Sequence, residues 1–291
     1  MPRLTTLLAV ALGYGLPGQP AVSEKRYQRP DRTLAYGQHP LQALDLYSAG
    51  AGVRPLVAFV HGGAWQFGDK ARRLADRKAP FCRAEGWHFG SLNFRLVPEV
   101  GVADIAADIA AGLRALWDAS EALGIDRTRI VLMGHSSGAH LAALVATDPG
   151  YLGAVGLAPG DLAGVVANDG AAYDARERSV RSGWLDRRLI VPALPPGDAP
   201  LLAQLSPALH AAQAPNARAF LILHTARTAS ARQAELLERA LARAGTPAER
   251  LGFAGRGASA HVMLSRKFGA PGFPPTEAAR TWLRDILSPP P

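Results

Sequence analysis

The sequence predicts an α/β fold: a mostly parallel, doubly wound sheet with helices on both faces and a short insertion over one end. Two observations carry this. After Arg32, short apolar runs alternate with longer segments of helical period. That β-α-β-α order requires parallel strands joined by crossover helices. Of the 291 residues, 48% are hydrophobic and 19% charged, which is enough apolar material to cover both faces of such a sheet.

The elements follow in order. Leu41–Tyr47 reads as a strand. Pro55–Val60 is a continuous apolar run, as a strand buried on both faces requires, and it ends in His61-Gly62-Gly63. Asp69–Glu85 reads as a helix and Gly90–Leu96 as a strand. Ile105, Ile109, Leu113, Leu116 and Trp117 recur at helical spacing, so Ala103–Ala122 is an amphipathic helix. Ile130–Met133 is a strand, Ala139–Ala146 an apolar helix, and Val165–Asn168 and Phe220–His224 are further buried strands. Ala231–Ala244 is a helix stopped by Gly245-Thr246-Pro247. Arg250–Phe253 is the last strand and Thr276–Leu287 the last helix.

Residues 33–291 read as one domain. Within it, the stretch from about 175 to 205 holds Pro192, Pro195, Pro196 and Pro200 and five arginines. It reads as a cap-like insertion, and insertions over an α/β sheet shape the pocket.

Residues 1–32 form an N-terminal segment with two open readings. Arg3 precedes the apolar run Leu4–Leu12, and the small residues Ala21 and Ser23 follow, as in a signal peptide. Gly13, Gly15 and Pro17 interrupt that run early. A cleaved signal implies a secreted or periplasmic protein; otherwise the chain is cytoplasmic.

A single cysteine, Cys82, excludes an internal disulfide and any cysteine-rich zinc module. No apolar run reaches the roughly 18 residues of a membrane span. The formal net charge is +8, and Asp69–Arg83 carries the densest excess of bases. A nucleic-acid binder concentrates charge on one face, whereas this stretch reads as a solvated helix face with Leu74, Ala75 and Phe81 between its charges. No nucleic-acid partner, metal or organic cofactor is expected. The sequence does not specify the oligomeric state.

The chemistry centres on Gly134-His135-Ser136-Ser137-Gly138, a G-x-S-x-G pattern. Alone it is a weak signal. Here it follows the strand Ile130–Met133 and opens an apolar helix. So tight a strand-to-helix turn strains the central residue and crowds its neighbours, and glycines at 134 and 138 remove the clashing Cβ atoms. Ser136 then stands at the carboxyl end of the sheet, at a helix amino end that favours developing negative charge. Gly62 and Gly63, after the strand Pro55–Val60, can turn backbone N–H groups toward an oxyanion, and the N–H of Ser137 supplies another donor.

A serine nucleophile needs a base. His140 lies one helical turn beyond Ser136 and reads as structural; His210 and His224 are poorly situated. His261 follows the last strand through a Gly/Ala/Ser loop, where the base of such a site hangs.

These pieces resemble an α/β-hydrolase of the serine carboxylesterase type. The chain is most similar to the esterase, arylformamidase and hormone-sensitive-lipase-like families with an HGG-type oxyanion loop. The matching segments are Ala43–Tyr47, His61–Trp65 with Gly68-Asp69-Lys70, Asn93–Glu99, Gly134–His140, Ser206-Pro207, and His261 with Phe268-Gly269 and Pro271. The resemblance runs from about Leu34 to Leu287. It implies a cofactor-free acyl-enzyme mechanism on a small ester, with Ser136 as nucleophile, His261 as base and Gly62, Gly63 and Ser137 as oxyanion donors. An arylformamidase-type amidase uses the same parts. A non-catalytic, ligand-binding hydrolase fold is the reading from a different class.

One part departs from the family. Relatives carry a catalytic Asp in the loop after the strand that ends here at His224, but Thr225–Arg232 contains no carboxylate. Asp169, directly after Val165–Asn168, suits the alternative position for the acid, though Asp is equally common as a turn or cap residue. Asp174 lies five residues further on. A Ser-His pair without an acid, or lost activity, also fits the sequence.

Overall fold

The computed structural model describes residues 29–71, 77–170, 172–179, 190–213 and 215–288. Eight strands form one sheet in the order β1-β2-β4-β3-β5-β6-β7-β8. They are β1 (Arg32–Ala35), β2 (Ala43–Tyr47), β3 (Arg54–Val60), β4 (His88–Leu92), β5 (Ile125–His135), β6 (Gly164–Asn168), β7 (Phe220–Thr225) and β8 (Ala248–Phe253). β1 pairs antiparallel with β2, and β2 with β4; every other neighbouring pair is parallel.

Alternating side chains of the central strands feed two separate cores, as the two-residue period of a strand dictates. Leu56, Ala58 and Val60 of β3, Ile130 and Leu132 of β5, and Phe220 and Ile222 of β7 enter one core. Val57 and Phe59, Val131 and Met133, and Leu221 and Leu223 enter the other. The first core is covered by α2 (Val102–Asp118) and α3 (Ser137–Thr147), the second by α1 (Lys78–Ala84) and the C-terminal helix Pro274–Ile286. Every residue of α3 is buried. It therefore reads apolar all round and carries no amphipathic stripe.

The sequence reading is corrected in four places. β1 was not expected: it is a four-residue, mostly exposed edge strand with no apolar run to betray it. The helix expected over Ala103–Ala122 breaks at Ala119 and resumes as the short turn Ser120–Leu123, which Gly124 ends in the left-handed region (φ 65°). Of the helix expected over Asp69–Glu85, residues 72–76 lie outside the described residues, and the part seen is α1. The charge run there is not a wholly solvated face. Lys78 is fully buried, its Nζ donating to the Ser265 carbonyl at 2.8 Å and lying 4.9 Å from the Phe59 ring centroid.

The fourth correction concerns His261. It sits not in a loop but within a ten-residue helix, α5 (Gly257–Arg266), which follows α4 (Thr228–Arg243) and β8. Small residues at 257–260 carry little amphipathic signal. Side-chain donors from elsewhere hold this helix: His135 Nε2 to the His261 carbonyl (3.0 Å), Asn168 Nδ2 to Leu264 (3.1 Å), and Lys78 to Ser265. A cation at the last carbonyls also complements the helix dipole.

The N-terminal segment lies outside the described residues as far as residue 28, so the signal-peptide expectation falls outside them too. In the insertion, the described part includes the short helices Ala175–Ser179 and Ala199–Gln204; residues 180–189 lie outside. Among the described residues, no helix is long and apolar enough to cross a membrane.

Candidate active site

The site forms at the carboxyl edge of the parallel strands, where β5, β6 and β7 end side by side. Ser136 follows β5 with φ 58° and ψ −122°, a conformation an L-residue adopts only under strain. What holds it there is contact on both sides of the turn. A Cβ on Gly134 would fall 2.1 Å from the Gly138 carbonyl oxygen, and one on Gly138 would fall 2.2 Å from that of Val60. The start of α3 is thus pressed directly onto the end of β3.

Three side chains converge at this edge. Ser136 Oγ lies 2.9 Å from His261 Nε2, and His261 Nδ1 lies 2.6 Å from Asp169 Oδ2. Asp169 leaves β6 in the left-handed region (φ 53°) and is fully buried. Its Oδ1 accepts the Thr225 amide at 2.9 Å, which ties the end of β6 to the end of β7. Burial alone would raise the Asp169 carboxyl. The hydrogen bond from His261, the charges of His261 and Arg227 and the Thr225 amide outweigh it, and hold the group well below the ordinary carboxylate range. An ionised Asp169 accepting from Nδ1–H leaves Nε2 free to accept the serine proton.

Of the two candidate carboxylates, only Asp169 reaches the histidine. Asp174 turns the other way: its oxygens accept from the Arg176 side chain (2.8 Å) and from the Arg176 and Glu177 amides at the start of a short helix. The other histidines are also accounted for. His140 accepts from Trp65 Nε1 at Nδ1 (3.2 Å) and donates from Nε2 to the Leu205 carbonyl (2.8 Å). Burial pushes its pKa down to about 4. His210 bonds the Gln204 carbonyl, and His224 bonds the Thr225 carbonyl.

The Gly62-Gly63 loop lies against the serine, since a Cβ on Gly62 would come 3.0 Å from Ser136 Cβ. Gly63 accepts from the amides of Gln66 and Phe67, and a Cβ on it would strike the Phe67 carbonyl. Ala64 and Trp65 follow with φ 51° and 61°. The Trp65–His140 hydrogen bond fastens this strained loop to α3. The Ser137 amide sits at the first position of α3, where an N–H has no intrahelical acceptor.

Two neighbours were not anticipated. His135 packs its ring 4.6 Å from that of His261, and burial, then the charge of His261, holds it neutral. Arg227 stands in the carboxylate-free loop after β7, with its guanidinium against Asp169 and His261. Its only sequence signal is its presence in that carboxylate-free loop.

A strained serine on a strand-to-helix turn, a histidine beyond the last strand and a carboxylate at the end of β6 stand together on one edge of a mostly parallel sheet, which is the architecture of the α/β-hydrolase fold. A family model described as BD-FAE matches residues 44–151. The chain is similar to a probable isoprenylcysteine α-carbonyl methylesterase of Arabidopsis thaliana, 34% identical over 151 residues, covering 47% of this chain and 34% of that protein. It is also similar to esterase LipC of Mycobacterium tuberculosis, 28% identical over 220 residues, covering 71% of this chain and 53% of that protein. The chain thus spans about a third of the first of these relatives and about half of the second. Among solved structures, Thermogutta terrifontis esterase 2 phosphonylated by sarin superposes with a TM-score of 0.73 at 21% identity, covering 92% of this chain and all of that one.

Proposed function

We propose that the protein hydrolyses small carboxylic esters through an acyl-enzyme on Ser136. The observation that carries the reading is the continuous chain from Asp169 through His261 to Ser136, with contacts of 2.6 and 2.9 Å.

In this reading Ser136 Oγ attacks the acyl carbon while His261 Nε2 takes its proton. The carbonyl oxygen becomes an oxyanion held by the amides of Gly62, Gly63 and Ser137. The tetrahedral species collapses and the C–O bond to the alcohol breaks. The departing alkoxide takes the proton from His261. Water then attacks the acyl-serine, His261 again accepts a proton, and the acid leaves as Ser136 regains its hydrogen. Asp169 fixes the Nδ1–H tautomer and stabilises the imidazolium.

The insertion over residues 175–205 is short in sequence for a lipase lid, so short acyl chains are the favoured substrates. A panel of p-nitrophenyl esters tests this: kcat/KM is expected to be highest at acetate or butyrate, and a maximum at twelve carbons or longer counts against it. A fluorophosphonate probe tests the chemistry, because the related esterase is itself phosphonylated by sarin. Labelling at Ser136 is expected. Folded protein that stays unlabelled would favour the ligand-binding reading.

A further inference from the structure

Arg227 is the only cation whose side chain contacts both Asp169 and His261 among the described residues. Its Nη2 lies 2.8 Å from Asp169 Oδ2, 2.7 Å from Ser230 Oγ and 2.9 Å from His261 Nδ1. Its Nε donates to Thr225 Oγ1 at 3.0 Å, and that hydroxyl in turn lies 3.1 Å from Asp169 Oδ1.

Counting hydrogens assigns these contacts. Nη2 has two, and they go to Asp169 Oδ2 and Ser230 Oγ. None remains for His261 Nδ1, which spends its own hydrogen on Oδ2. The 2.9 Å separation is therefore two donors crowded around one shared carboxylate oxygen. A permanent guanidinium charge stands against the edge of the imidazole at which Asp169 acts.

We propose that Arg227 is a positioning residue of the site: it clamps the Asp169 carboxylate through Oδ2 and, by its fixed charge, opposes protonation of the resting His261, so that the base stays available at lower pH. This rests on the esterase reading only in its kinetic consequence. The other charged or titratable groups facing His261 are Asp169 from the end of β6, His135 from the end of β5, and Lys78 of α1, which bonds the carbonyl of Ser265 on the histidine's own helix. His135 is held neutral by burial. Tyr173 lies near Asp169, and burial keeps its phenol protonated. Asp169 favours the imidazolium, whereas Arg227 and, more distantly, Lys78 oppose it. Removing Arg227 leaves the field of Asp169 less opposed.

The test is the titration of His261 followed by NMR of the imidazole ring, without substrate, in the full chain and in Arg227→Gln, alongside the pH profile of kcat/KM. The His261 midpoint is expected to rise by about one pH unit in Arg227→Gln, the scale of a like charge within a few ångströms at a partly screened site. The acidic limb of kcat/KM should move with it, lowering the ratio of rates at pH 5.5 and pH 8 several-fold relative to the parent, with about tenfold as the ceiling for a one-unit shift. Ser230→Ala, which removes one anchor of the guanidinium without touching Asp169, should shift both in the same direction by less; it serves if Arg227→Gln does not fold. A merely structural role would lower the rate at every pH and leave the midpoint where it was. An unmoved or lowered midpoint overturns the proposal. A parent enzyme inactive on every ester overturns the esterase reading alone, because the NMR midpoint is read without turnover.

Discussion

Asp169 Oδ2 and His261 Nδ1 meet at 2.6 Å although 92 positions separate the two residues in the chain. The contact exists because β6 ends level with β7, the Thr225 amide captures the other carboxylate oxygen, and α5 docks over both strand ends. The carboxylate that meets the histidine thus stands at the end of β6, and Arg227 occupies the loop after β7 where the family resemblance implies an acid.

Replacing this carboxylate tests its role. In Asp169→Asn the left-handed backbone is tolerated, since Asn adopts positive φ readily. The variant should fold, lose the charge that fixes the Nδ1–H tautomer, and fall in kcat by about 10⁴. Thr228→Asp is the counterpart. Thr228 opens α4, where an acidic residue suits the helix amino end, so this variant should also fold, with kcat unchanged or lower. A rise of tenfold or more in Thr228→Asp, with Asp169→Asn unaffected, would reverse the assignment.

Ser136→Ala should abolish ester hydrolysis and fluorophosphonate labelling while leaving the melting temperature nearly unchanged, since both side chains suffer the same strain at φ 58°. Ser136→Gly should be equally inactive but more stable than Ser136→Ala by about 1 kcal/mol, because glycine adopts that conformation without penalty. Denaturant melts of the two variants provide the comparison. Retained turnover in either purified variant would remove Ser136 from the chemistry.

Gly138→Ala probes the contact that aims the serine. Its Cβ would fall 2.2 Å from the Val60 carbonyl oxygen and 2.5 Å from that of His61, backbone atoms that cannot swing aside. Either α3 lifts or the Gly62 loop retreats. The expected cost is roughly 1–3 kcal/mol of stability, with a loss of kcat well beyond what the lowered stability explains. Parent-like melting and activity would mean that the serine turn is not held by this approach.

Much of this was legible in the sequence because it depends on local pattern. The strands from β3 to β7 are short apolar runs, and Gly134–Gly138 carries its own steric reason for glycine. The oxyanion loop announces itself as glycines at a strand end. What was not legible depends on convergence across the fold. Asp169 could be named as a candidate, but its distance to His261 is set by the register of β6 against β7, and no local feature separates it from a turn aspartate. The helix that carries His261 is made of small residues without a strong stripe, and it is held by His135, Asn168 and Lys78, which lie far away in sequence. Lys78 reads as part of a solvated charge run and Arg227 draws no reading of its own, because a charged side chain reveals its burial only through its partners.

The last prediction concerns acid. His140 is fully buried between Trp65 Nε1 and the Leu205 carbonyl, a pair of contacts that suits a neutral imidazole. Burial holds its pKa at about 4 in the folded protein, against 6.5 for the free side chain. Between these values the unfolded chain binds a proton that the folded chain refuses, so stability rises with pH across this window and is lost as pH falls through it. The loss attributable to His140 between pH 7.5 and pH 5 is about 2 kcal/mol. Asp169 acts in a separate, lower window: its folded pKa lies below the unfolded value, so its contribution persists until the pH falls through the ordinary carboxylate range. His135 and His88 are shifted down as His140 is, and they steepen the same upper window. His140→Asn isolates one share of it. The Asn carbonyl can accept from Trp65, and the variant has nothing to protonate. Urea unfolding at pH 7.5 and at pH 5 should show the parent losing about 2 kcal/mol more than His140→Asn over that interval. Equal losses in the two proteins would show that His140 is already protonated in the folded state, and that the Trp65 contact does not depend on a neutral ring.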